Sequence, residues 1–160
     1  FFNDPLRRHD IAPITDGAAA IVLAADDRAR ELRDKPAWIT GIEHRIETPV
    51  LGARDLTVSP STAASAKAAA GGSTGFDVAE IHAPFTHQHL ILAEAIGLNG
   101  STKVNPSGGA LAANPMFVAG LERIGFAAQH VFDGSAQRVL AHATSGAALQ
   151  QNLVAVLEGK

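Results

Sequence analysis

Five short apolar runs, each set off by glycine, proline or paired acids, leave this chain little choice of architecture. They are residues 18–25, 38–42, 76–81, 138–143 and 153–157. Apolar runs of that length between turn residues read as buried strands. Helix-forming stretches lie between them: 28–33, 62–70, 84–96 and 115–129. Asp26 and Asp27 can accept bonds from the free N–H groups of the first helix, and Ser61 or Thr62 can do so for the second. Pro84 suits the start of the third, where its missing N–H costs nothing, and Gly97 suits its end. Strands alternating with helices predict an α/β domain in which helices cover a mixed sheet. Its central strands are expected at 18–24, 78–82, 139–142 and 153–157, with the 115–129 helix among the most buried. Residues 1–15, polar and holding Pro5 and Pro13, read as a linker or arm, and 16–160 as the domain. Residues 47–60 read as an irregular loop and 71–75 as a flexible break.

Composition narrows the function classes. Hydrophobic residues are 46% of the 160 and charged residues 18%, enough apolar material for a core, so disorder is excluded as the main state. A formal net charge of −3 argues against a nucleic-acid footprint. The chain has no cysteine, hence no disulfide, zinc–thiolate site or cysteine nucleophile. No apolar run reaches the roughly 18 residues a bilayer span needs. The opening Phe1-Phe2-Asn3-Asp4-Pro5 lacks a secretory pattern, so a cytoplasmic location is expected. A start at Phe1 rather than Met suggests a piece of a longer chain. His82, His87 and His89 do not have the spacing of a ligand set, so no metal is expected.

Chemistry concentrates in three turns: Glu80-Ile81-His82-Ala83-Pro84-Phe85, Asn105-Pro106-Ser107-Gly108-Gly109 and His142-Ala143-Thr144-Ser145-Gly146. Each falls at a strand end, where open α/β sheets place ligands. Glycines there allow close backbone approach. In order and spacing these turns carry a family resemblance. Thr15-Asp16-Gly17-Ala18-Ala19-Ala20 resembles the opening of the C-terminal domain of thiolases. His82-Ala83-Pro84-Phe85 resembles the HDCF-type motif of the sterol-carrier-protein type thiolases. Asn105-Pro106-Ser107-Gly108-Gly109 followed by Ala113-Asn114-Pro115 resembles their N-x-x-G-G…G-H-P block. His142 to Gly146 falls where the family carries its second cysteine loop, and residues 150–158 fit its last strand.

The resemblance implies the C-terminal half of a two-half thiolase fold, with the nucleophilic cysteine in the other half. It implies an oxyanion site containing His82, with Asn114 standing where the family has the histidine that activates the nucleophile. Asn105, Gly108, Gly109, His142, Ser145 and Gly146 are then the expected contacts to substrate or coenzyme A. The substrate is an acyl-CoA thioester, and no separate cofactor is implied. Asparagine cannot take a proton near neutral pH, and the acid/base cysteine is absent too. Two readings follow. One is an acyl-transfer or carbon–carbon bond-cleaving enzyme on a 3-oxoacyl-CoA or related thioester of lipid or sterol metabolism. The other is a non-catalytic thiolase-like subunit that binds CoA or lipid, or holds an active partner. A homodimer or homotetramer, with a small partner subunit as an addition, is implied, and an apolar face should be left over for that contact.

Overall fold

A computed structural model describes residues 3–159. The first two residues of the arm, Phe1 and Phe2, and the last of the domain, Lys160, lie outside the described residues. Five strands form one mixed sheet: β1 (Ala37–Ile46), β2 (Val78–Ile81), β3 (Lys103–Val104), β4 (Arg138–Ser145) and β5 (Gln151–Gly159). Their order is β1-β5-β4-β2-β3. β2 runs parallel to β3 and β4, while β5 is antiparallel to both β4 and β1. The helices are α1 (Asp26–Leu32), α2 (Pro60–Ala69), α3 (Thr86–Ile96), α4 (Gly109–Ala112) and α5 (Ala119–Phe132). No helix among the described residues is long and apolar enough to cross a membrane.

The pleat of the sheet sorts its side chains into two cores. Ala79, Ile81, Leu140, Val154 and Val156 meet Ala66 and Ala69 of α2 and Leu92 and Ile96 of α3 on one face. Val78, Val139, Ala141, Ala155 and Leu157 meet Ala127 and Val131 of α5 on the other. Burying each of the valine, leucine and isoleucine side chains stabilises by roughly 1.5–3 kcal/mol, and each alanine methyl by less. α2 approaches so closely that a Cβ on Gly41 of β1 would lie 1.9 Å from the Ala69 carbonyl oxygen.

Four expectations about elements need correction. Residues 18–25 form no strand: Val22 and Leu23 are exposed, and no described strand lies beside the run. A strand is held by hydrogen bonds along a neighbour, and apolar side chains alone do not supply them. α3 begins at Thr86 rather than at Pro84, because Phe85 is held extended in a bridge to Ile11. α5 begins four residues later than expected, after a turn in which the Pro115 carbonyl accepts from Val118 and Ala119. Its buried stripe is Ala119, Arg123, Ala127 and Val131, whereas α2 buries half of its ten residues. The N-cap of α2 is Ser59, without a side-chain cap bond. The Glu47 carboxylate accepts from the Ser61 N–H at 3.2 Å instead. An anion at a helix N-terminus has the favourable sign.

Large apolar side chains do remain exposed, among them Ile42 and Ile46 on the edge strand β1 and Phe117 and Met116 before α5.

Candidate functional site: His82 and Asn114 between the sheet and α5

β2 ends at Ile81, and the chain turns with the His82 N–H bonded to the His142 carbonyl of β4 at 3.2 Å. That bond fixes His82 at the strand end. Its ring meets Asn114, which arrives from the loop between α4 and α5: Nε2 lies 3.0 Å from Asn114 Oδ1. Nδ1 lies 3.3 Å from the Thr144 carbonyl oxygen. Both side chains are buried, His82 at 7% exposure and Asn114 at 6%.

Both facing oxygens are acceptors, so only the doubly protonated imidazolium donates to both. Burial opposes that cation and holds the His82 ring below its ordinary pKa. The bonds to Asn114 and Thr144 pull in the other direction, Arg123 adds to the lowering, and Glu122 opposes it. In the neutral ring one contact survives, or both do if the Asn114 amide turns over and donates from Nδ2. As placed, the pair spends His82 Nε2–H internally. Among the described residues Asn114 Nδ2 has no partner, and it is the donor left to meet an outside oxygen.

The Asn105–Gly109 loop is built mainly for itself. Asn105 has φ +50° and its Oδ1 accepts from the Ile81 N–H at 2.6 Å. A Cβ on Gly109 would lie 2.7 Å from the Asn105 side-chain nitrogen, and one on Gly108 2.7 Å from the Ala112 Cβ. Both glycines also have positive φ. These packing demands account for the two glycines without a ligand.

His142 is turned away from the pair. The register sets it opposite Ile81, so the pleat places it on the α2 face, fully buried. Its Nε2 donates to Asn152 Oδ1 at 3.0 Å. The roles are unambiguous, because Asn152 Nδ2 donates to Ser61 Oγ and to the Leu149 carbonyl, both at 2.7 Å. His142 Nδ1 has no partner among the described residues. Burial pushes this imidazole down to about 4. Ser145, the last residue of β4, and Gly146 after it are both exposed, and what reaches His82 is the Thr144 carbonyl one residue before Ser145. A Cβ on Gly146 would overlap the Gln150 side chain at 2.5 Å.

Sequence reasoning missed a buried ionic cluster behind the site. Glu80, with no exposure, receives Ser107 Oγ–H at 2.6 Å, the Ser107 N–H at 3.2 Å and Arg123 Nη1 at 3.3 Å. His130 Nε2 lies 3.3 Å from Oε1, the oxygen that also accepts the Ser107 N–H, while Ser107 Oγ and Arg123 reach Oε2. The cluster ties the glycine loop to β2 and α5. Its sequence signal was an acid inside an apolar strand run and an arginine on the stripe of Ala119 and Ala127.

No protein-family model matches the chain. Similar proteins are named acetyl-CoA acetyltransferase. That of Methanothermobacter thermautotrophicus is 33% identical over 128 residues, covering 66% of this chain and 33% of its own length. That of Methanocaldococcus jannaschii is 28% identical over 149 residues, covering 76% and 38%. That of Yarrowia lipolytica is 36% identical over 104 residues, covering 63% and 25%. The similarity supports a thiolase-like relationship. The chain spans about a quarter to two fifths of the length of these relatives. Its mixed five-stranded α/β fold is consistent with part of a thiolase-like fold.

Proposed function

We propose that this domain contributes the oxygen-holding side of an acyl-CoA thioester site, in a thiolase-like protein of the sterol-carrier-protein type. The observation that carries the reading is the buried 3.0 Å contact between His82 and Asn114, two side chains that can supply N–H donors. Donors fixed in place before reaction stabilise a developing oxyanion at about 2.7–3.1 Å, and such stabilisation is often the largest catalytic contribution. Here Asn114 Nδ2 donates to the thioester oxygen, and His82 orients the amide. The relatives' name, acetyl-CoA acetyltransferase, supports an acyl-CoA as the ligand. The reaction is acyl transfer, or cleavage or formation of a carbon–carbon bond on a 3-oxoacyl-CoA or related thioester in lipid or sterol metabolism. The working protein is a homodimer or homotetramer.

A second reading has its own observation. Asn114 cannot take a proton near neutral pH, and the chain holds no cysteine. Both facts favour a thiolase-like subunit that binds the thioester without turning it over. One pair of experiments on the whole protein separates the readings. Calorimetry with acetyl-CoA should show binding that Asn114→Ala weakens; no binding, or binding untouched by that change, overturns both. Turnover of acetoacetyl-CoA with CoA at ordinary enzyme rates of about 1–1,000 per second would overturn the binding-only reading.

A further inference from the structure

Asn114 sits on a short connection between α4 and the turn at Pro115, which by itself does little to fix an amide. Both of its main-chain polar groups are taken by one residue 99 positions earlier. The Asn114 N–H donates to Thr15 Oγ1 at 3.1 Å, and its carbonyl accepts from the Thr15 N–H at 3.3 Å. The next residues continue the match: a Cβ on Gly17 would lie 2.8 Å from both Cβ and Cγ of Pro115. Towards its other end the same segment is bonded to the turn after His82. The Ala12 N–H donates to the Pro84 carbonyl at 2.8 Å, Ile11 bridges to Phe85, and Asp10 Oδ1 accepts from Thr86 Oγ1 at 2.9 Å. Residues 10–17 therefore span the two turns that carry His82 and Asn114.

We propose that Thr15 is a positioning residue: by clamping the main chain of Asn114, it sets the Asn114 amide against the His82 ring. The chemical reason is a division of labour. Hydroxyl and amide bonds to the main chain of Asn114 leave its side chain whole for His82 and for a ligand oxygen. Gly17 is the glycine this requires, since any side chain there would push Pro115 and move Asn114 with it. The proposal rests on reading His82 and Asn114 as the oxygen-holding pair. Its test uses no ligand, so its failure is distinct from a failure of acyl-CoA binding.

The reporter is the His82 ring. The groups that face it are Asn114, the Thr144 carbonyl, Glu122 and Arg123 of α5, and His142 across the sheet. Only the Asn114 contact depends on Thr15. Thr15→Val keeps the volume and the backbone N–H but removes the acceptor. In the whole protein, with 15N-labelled histidine, this variant should lower the His82 pKa by roughly half to one pH unit, the worth of one ordinary hydrogen bond. Thr15→Ser should restore it. The His142 ring, on the opposite face, should keep its Nε2–H signature throughout. If Thr15→Val does not fold, Gly17→Ala should move His82 in the same direction. A His82 titration unchanged in the folded variant overturns the proposal. So does a loss of the His142 signature in step with His82, which would mean general loosening, or a serine variant that behaves like valine.

Discussion

His142 is the buried group whose chemistry makes the sharpest prediction about stability. Its Nε2–H is committed to Asn152, and its Nδ1 faces no acceptor among the described residues. A proton added at Nδ1 would therefore create a buried cation with an unmade bond. Burial accordingly lowers the pKa to about 4, with the nearby His82 acting in the same direction and the Asn152 bond opposing. In the unfolded chain the ring returns to about 6.5. The unfolded state then binds the proton more tightly, so acid favours unfolding. The cost begins as pH falls through about 6.5 and stops growing below about 4. It amounts to about 2 kcal/mol at pH 5 and about 3 kcal/mol at pH 4. His142→Gln keeps an N–H donor for Asn152 and removes the titration. Urea unfolding at pH 7 and pH 5 should show the native protein losing about 2 kcal/mol more than this variant. His82 and the carboxylates titrate in both proteins and cancel in the difference. Equal losses would refute the reasoning, and would mean that His142 finds a partner for its second proton in the folded state.

Two further changes test the packing that holds the site. Glu80→Gln leaves Arg123 buried with its closest carboxylate gone and should cost about 3–5 kcal/mol in chemical denaturation, whereas adding Arg123→Met should recover most of that loss. Gly41→Ala drives a methyl group into the Ala69 carbonyl and should cost about 1–3 kcal/mol, read as a lower thermal midpoint.

Much of the fold was legible in the residues. The runs at 76–81, 138–143 and 153–157 are strands because their β-forming side chains fit a sheet covered on both faces, and the helices after Pro60 and before Gly97 follow from local backbone preference. The run at 18–25 is apolar throughout and forms no strand. Apolar content does not supply a pairing edge, and that is a property of the assembled sheet. The candidate site divides in the same way. His82 was marked by its turn and Asn114 by the family resemblance of Ala113-Asn114-Pro115, and their 3.0 Å meeting came from tertiary structure. His142 was marked by its turn as well, but the β2–β4 register put its ring on the far face, since a step of one residue along a strand reverses a side chain. No motif gave Thr15, Glu80, Arg123 or Asn152 the roles they hold in the structure. Their roles exist only where distant segments bring a donor to an acceptor out of water, because a buried polar group must find a partner wherever along the chain that partner lies.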